Sequence, residues 1–429
     1  MSTSTVSKNA WRLRGGGPVA WGERLITGSK NKYFMVSSDS HTNEPLDVFA
    51  SRITDPQYKD RLPRVVADDE GVKWLLTDGW APQRVHIPAD RKDLLPQLES
   101  FENYEVLSPY DERMEDEDVL RSASARNIGQ RLKDNAADGV DADIVFPQKG
   151  ILAFATPDPV FAGVMTRAWN RWALETFKPE FHRIMPMALI AAGDLENAIK
   201  EVEWAAANGF HGVMISNRPV FSRTDQPKNK IEYNDPQFDP LWAVIQEAGI
   251  PLVFHVATGE DPRAVGGNGA AIIAFHSAIA TAIDPVVTLI SSGVLERFPK
   301  LKVAVIEAGT GWIPSVLHSM DHAYRAFHMW VRPVIPELPS FYFKRNCCVS
   351  TLEHPGMLET LCELGLEDNL MWSSDYPHHE GSYPHSRQSI ERDMRNLTEE
   401  QRVKILGQNA VRFFNIDESA ILGRMAKQQ

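Results

Sequence analysis

An aspartate, a histidine and a glutamate, Asp39, His41 and Glu44, follow an apolar run in the stretch YFMVSSDSHTNE. Asp39 and His41 are two residues apart, so on an extended strand their side chains share one face. The signature recurs downstream, where PLVFH ends at His255, KVAVIE ends at Glu307 and LMWSSD ends at Asp375. Each places a ligand-type side chain where an apolar run stops. Imidazole nitrogen and carboxylate oxygen, with no thiolate among them, suit a divalent transition metal such as zinc, iron or manganese. An ion held by such ligands with one open position acidifies water and polarises a carbonyl, which is hydrolytic chemistry. Taken singly, Asp39 also reads as a turn cap and His255 as a hydrogen-bonded core residue. Recurrence at four strand ends points instead to one site.

For these groups to converge, the runs that carry them must be neighbouring strands. Short β-rich runs lie at 33–37, 142–147, 183–189, 212–216, 251–255, 303–307, 346–350 and 370–374, most of them separated by helix-like stretches. Strands alternating with helices pair in parallel, and eight such units close most economically as a (β/α)8 TIM barrel with its active site at the carboxyl ends of the strands. A doubly wound open sheet is the structural alternative. About a hundred residues separate the first two strands, a length that carries function more often than mere connection. Residues 64–85 alternate like a hairpin around Asp69-Glu70-Gly71, and 115–137 read as a helix. The expected organisation is an N-terminal extension at 1–30, a barrel over 31–415 with a cap inserted at about 45–137, and a C-terminal tail at 416–429.

Composition narrows the function classes. The 429 residues hold 45 Lys and Arg against 57 Asp and Glu, a formal charge of −12, which argues against a nucleic-acid partner. A hydrophobic share of 43% with a mean hydropathy of −0.30 is ordinary for a globular chain. No membrane span is expected, since even the apolar run at 184–192 stops at Gly193-Asp194. The first 30 residues lack an apolar core of the signal-peptide kind, so a cytoplasmic location is the expectation. Three cysteines, Cys347, Cys348 and Cys362, are an odd number and read as reduced packing residues.

The strings SDSHTNEP at 38–45, PLVFH at 251–255, SSGVLERFPKLKVAVIEAGTGWIPSVLHSMD at 291–321 and WSSDYPHHEG at 372–381 together resemble the amidohydrolase-related branch of the amidohydrolase superfamily. That branch includes aminocarboxymuconate-semialdehyde decarboxylase, resorcylate decarboxylase, and hydratases and hydrolases of aromatic catabolism. The resemblance, spanning about 33–415, implies a metal-dependent barrel enzyme. It implies a metal held by Asp39 and His41 from the first strand, His255 from the fifth and Asp375 from the eighth, with Asp375 also handling a proton. Decarboxylases and several hydrolases of this branch carry a histidine after the sixth strand, whereas this chain has Glu307 followed by Ala308-Gly309-Thr310-Gly311. Glu307 and Glu44 then add two carboxylates, as ligands of a second ion or as base and orienting group. Four carboxylates in one place repel unless cations sit among them, which favours a dinuclear site.

The expected function is therefore hydrolysis of an amide, ester, thioester or related bond in a small carboxylated or aromatic metabolite, with Asp375 and Glu307 catalytic. The alternatives are a nonoxidative metal-dependent decarboxylase or hydratase and, from another class, an inactive ligand-binding barrel. His276 beyond the fifth strand, His378 in the loop after Asp375, and His322 are possible additional site residues. His318 and His322 share a helix face, read first as a solvated face and alternatively as a dimer contact, since in relatives the early part of that helix can meet a subunit neighbour; a homodimer is expected. Asn217 and Arg263 are weaker candidates for a polar substrate end. Gly15-Gly16-Gly17 and Gly266-Gly267-Asn268-Gly269 lack the Gly-Lys-Ser/Thr of a phosphate loop.

Overall fold

The computed structural model describes residues 33–45, 47–84, 127–219, 232–258, 268–331, 334–351, 356–378, 381–383 and 386–428. The extension at 1–30, Arg263, His379, His385 and the first part of the helix read at 115–137 lie outside them.

The first barrel position is shared by two short strands, β1 (Val36–Ser37) and β2 (His41–Thr42). After them come three strands of the insertion, β3 (Arg64–Ala67), β4 (Lys73–Leu76) and β5 (Gln83–Arg84), which form their own antiparallel sheet. The turn between β3 and β4 forms because Asp68 Oδ1 accepts the backbone N–H groups of Glu70 and Val72, while Gly71 takes a φ of 82°. Helix α1 (Ile128–Asp138) returns the chain to the barrel. The Asn127 side chain caps its start on Gln130 N, and Gly139 in the left-handed region ends it.

The remaining barrel strands are β6 (Ala142–Pro147), β7 (Ile184–Pro186) with β8 (Ala188–Ile190), β9 (Val213–Ile215), β10 (Leu252–His255), β11 (Val303–Ile306), β12 (Cys347–Thr351) and β13 (Leu370–Trp372). They match the eight runs read from the sequence, with the third split at Met187. All their pairings are parallel, in the order β8 to β13 in one sheet and β1, β2, β6 and β7 in another. Hydrogen bonds join the two sheets on both sides. Met187 N donates to Val145 O at one seam, and Ser38 N donates to Trp372 O at the other, so the eight positions close into a TIM barrel.

Helices α2 (Pro159–Phe177), α3 (Leu195–Ala207), α4 (Asp239–Ala248), α5 (Ala270–Ser291), α6 (Ile313–Ala326) and α7 (Met357–Glu363) alternate with the strands. Every residue of β6, β9, β10, β11 and β12 is buried, as expected for a parallel sheet covered by helices. Cys347 and Cys348 lie buried in β12, and all three cysteines are free. Helix α5 corrects the reading that no apolar run approaches a span. Its segment Ile272–Ser291 is long and apolar enough by composition, at a hydropathy of 1.6, although a third of that window is buried in the protein. Mostly buried core helices and signal sequences meet the same criterion of length and composition. The tail read at 416–429 includes a helix, α8 (Glu418–Gln428).

Candidate metal centre

The carboxyl ends of the first and last strands are stitched together by short polar residues. Ser37 Oγ donates to Asp39 O at 2.6 Å and lies 2.9 Å from Ser374 Oγ, and Ser38 Oγ donates to Trp372 O at 2.9 Å. Asp375 N donates to Asp39 O and His41 N to Tyr376 O, at 3.0 and 2.6 Å. The repeated Ser-Ser-Asp of 37–39 and 373–375 thus fixes the two aspartates against each other.

Glu307 and Asp375 leave their strands with φ of 63° and 51°, a left-handed conformation that side-chain-bearing residues rarely hold without support. For Glu307 the support is Ser350 Oγ, which accepts its N–H at 2.8 Å. Gly381 packs against the other segment, where an added Cβ would come within 2.4 Å of Ser374 O.

Asp39, His41, His255 and Glu307 bring one ligand atom each within 4.8 Å of one another, and His41, Asp375 and His378 do the same. Asp39 Oδ1 is 3.5 Å from Nε2 of both His41 and His255. Glu307 Oε2 lies 3.3 Å from His255 Nε2 and 3.8 Å from His41 Nε2, and Asp375 Oδ1 lies 3.5 Å from His41 Nε2. Ligands about 2.1 Å from one ion sit roughly 3.0–3.5 Å apart, close to these separations.

The ring orientations agree. Nδ1 of His41 faces Pro147 O at 3.3 Å and Nδ1 of His255 faces Val256 O at 3.0 Å. A carbonyl only accepts, so Nδ1 carries the proton and each Nε2 turns a lone pair to the cluster. Among the described residues, both Asp39 oxygens and the two Nε2 atoms are buried with no hydrogen-bond partner. Buried unanswered acceptors are costly unless a cation answers them. The donor set fits a divalent transition metal.

The electrostatics sort the groups further. Burial alone would raise the Asp39 carboxyl, but His255 and His41 hold it below the usual carboxylate range. Burial, then the charge of His378, pushes His41 down to about 3, so it is neutral and ready to ligate. Burial also opposes the His255 charge, yet Asp39 and Glu307 outweigh it and raise that group above an ordinary histidine. Glu307 is raised well above the usual carboxyl range, by burial and then by the charge of Asp375.

Glu44 corrects an expectation. It is buried, yet the structure does not bring it into the cluster. Its Oε1 accepts from Trp169 Nε1 at 2.6 Å and Gly150 N at 3.1 Å, its Oε2 from Lys149 N at 2.8 Å, and both face Gln148 N at 3.2 Å. Gly150 permits this approach, because a Cβ there would meet the Trp169 ring at 2.5 Å. A carboxylate so saturated has no lone pair left for a second ion.

His378 does join the site. Its ring stacks on His41 at 4.0 Å between centroids, Nδ1 lies 3.1 Å from Asp375 Oδ1, and Nε2 lies 2.6 Å from Gln148 Oε1. His276 and His322 are exposed on α5 and α6, outside both ligand groups. Asn217 is buried and donates Nδ2 to His255 O at 3.0 Å, so it steadies a ligand's main chain. Sequence reasoning missed Gln148, Trp169 and the serine stitches; only the Ser-Ser-Asp repeat was a visible signal.

Residues 74–416 match the amidohydrolase family. The chain is 24% identical over 298 residues to a gamma-resorcylate decarboxylase of Rhizobium sp. (strain MTP-10005), covering 67% of this chain and 86% of that protein. Among solved structures it is similar to an amidohydrolase of Mycobacterium avium subsp. paratuberculosis K-10, with a TM-score of 0.70 and 22% identity over 90% of this chain and 99% of that one. It is also similar to a dihydroxybenzoic acid decarboxylase of Polaromonas sp. JS666 with bound manganese and the inhibitor 2-nitroresorcinol. The TM-score there is 0.56, with 18% identity over 91% of this chain and 99% of that one.

Proposed function

Since the chain belongs to the amidohydrolase family, we propose that it is a metal-dependent enzyme that removes carbon dioxide, without oxidation, from a hydroxylated aromatic carboxylic acid. The observation that carries this reading is the buried set of unanswered nitrogen and oxygen donors at the strand ends. The choice of decarboxylation over the expected hydrolysis is supported by the similar proteins of Rhizobium and Polaromonas, which are decarboxylases by name.

In this reading Asp39, His41, His255 and Asp375 hold one divalent ion, manganese being the first to test. When bound, it supplies positive charge that attracts and orients an anionic substrate. Asp375 delivers a proton to the ring carbon that bears the carboxylate, and His378, 3.1 Å away, is the neighbour through which that proton is replenished. The bond from ring to carboxylate then breaks, its electron pair restores the aromatic ring, and carbon dioxide leaves. Glu307, whose protonated form is favoured by burial and then by the charge of Asp375, in that form donates a hydrogen bond to a substrate oxygen. Exclusion of water follows from burial of the ligand set.

A second reading, hydrolysis, rests on Glu307 and the missing histidine after the sixth strand, which decarboxylases and several hydrolases of the branch carry as proton donor or carbonyl polariser. One experiment separates the two. The manganese-loaded protein is incubated with a panel of hydroxybenzoates in deuterium oxide, and carbon dioxide and ring deuteration are measured. Equal amounts of carbon dioxide and of product deuterated at the vacated carbon support decarboxylation. Products of ester or amide substrates that carry oxygen-18 from labelled water, with no carbon dioxide from the acids, would replace it with hydrolysis.

A further inference from the structure

Arg131 is fully buried on α1, the helix through which the insertion rejoins the barrel. A guanidinium so placed must spend its donors on protein. Its Nε donates to Asp143 Oδ2 at 2.8 Å, its Nη1 to His41 O at 2.8 Å, and its Nη2 to Ser40 Oγ at 2.5 Å. Its Cζ also lies 5.2 Å from the centre of the Tyr376 ring. Tyr376 follows Asp375 and accepts the His41 N–H on its own carbonyl, while its hydroxyl donates to Asp134 Oδ2 at 2.7 Å, one turn along α1.

Neutralising Asp143 would require only the contacts of Nε and Nη2 with its Oδ2. The others go to the two residues that follow Asp39 and to the residue that follows Asp375. Ser40 in turn donates to Ile144 O at 2.6 Å, tying the same segment to β6. We propose that Arg131 is the positioning residue of the metal centre, holding the 39–41 and 375–376 segments at the separation that lets their side chains share one ion. This rests on the metal-binding reading of Asp39, His41 and Asp375. Lysine cannot replace it, because a single ammonium cannot span Asp143, Ser40 and the His41 carbonyl in the fixed fork that a guanidinium presents.

The test compares wild type with Arg131→Lys, which keeps the charge, with the double variant Arg131→Met/Asp143→Asn, which leaves no unpaired charge, and with Ser40→Ala, which deletes one acceptor from the network. Manganese dissociation constants are measured by competition with a chromophoric chelator, alongside thermal unfolding with and without the metal. The expected result is a loss of manganese affinity of about 10–100-fold for Arg131→Lys and the double variant, the range for residues that orient metal ligands. A smaller loss is expected for Ser40→Ala, and in each folded variant the metal-induced rise in Tm shrinks. A purely structural role would lower the Tm of the metal-free and metal-loaded forms alike and leave the dissociation constant at its wild-type value, which would overturn the proposal. Should both Arg131 variants fail to fold, unchanged affinity in Ser40→Ala alone would overturn it. Wild-type protein without manganese affinity would instead refute the metal reading itself.

Discussion

Asp39 and Glu44 lie five residues apart and are equally buried, yet their surroundings are opposite. Around Glu44, three backbone N–H groups and the Trp169 indole answer both oxygens. Around Asp39, Nε2 of His41 and of His255 each lie 3.5 Å from Oδ1, and neither carboxylate oxygen has a hydrogen-bond partner. A buried carboxylate that the protein itself satisfies is architecture: here it fixes the loop after β6, from which Gln148 reaches His378. One that faces other acceptors is waiting for a cation. Residue type and burial do not separate the two cases; the identity of the neighbours does.

The comparison breaks first at the cluster. Asp375→Asn should lower turnover by about 10³-fold or more, since an amide neither carries the transferable proton nor supplies a negative ligand. Steady-state assay of a variant shown to be folded checks this, and near wild-type turnover would remove Asp375 from the chemistry. His255→Ala should lose most of the bound metal, measured by elemental analysis after gel filtration. Full retention would dismiss the cluster as the site.

Glu44→Gln tests the other half. It should keep wild-type metal stoichiometry while losing about 2–4 kcal/mol of stability, because an amide NH2 would then point at backbone donors. Denaturant unfolding together with metal analysis reads both quantities. Loss of an ion with stability intact would move Glu44 from architecture to ligand and restore the dinuclear site.

A subtler effect concerns protons. His41, at about 3, does not compete with the metal near neutrality, whereas His255 is raised above an ordinary histidine and must lose its proton to ligate. A raised pKa means that protons compete from a higher pH downward. Manganese affinity should therefore fall with decreasing pH, by about tenfold per unit once His255 is protonated. Titration of proton release on metal addition gives the count. One proton fits a Glu307 that stays protonated, and two would make Glu307 a ligand. The smallest expected change follows from the first outcome: Glu307→Gln, neutral like the protonated acid, should hold manganese within about threefold of wild type.

Much of the frame was legible in local sequence. Eight apolar runs of strand length, spaced by helical stretches, gave the barrel because alternation of parallel strands and helices leaves few other closures. Asp39, His41, His255, Glu307 and Asp375 were legible because each ends such a run and barrel geometry carries strand ends to one rim. The histidines of helices and loops were not separable in this way. His276, His322 and His378 look alike in sequence, and only His378 stacks on His41 beside Asp375.

What the sequence by itself determined, then, is which elements form and which ligand types stand at their ends, since both follow from the periodicity of neighbouring residues. Tertiary structure alone decided which buried charges are answered. Glu44 meets its donors 104 to 125 residues further along the chain, and Arg131 reaches 90 residues back to the His41 carbonyl. The state of Glu307 depends on its burial and on Asp375, which follows a strand two places along the sheet. Hydrogen bonding and desolvation are set by atoms within a few ångströms in space, and no local pattern records which atoms those will be.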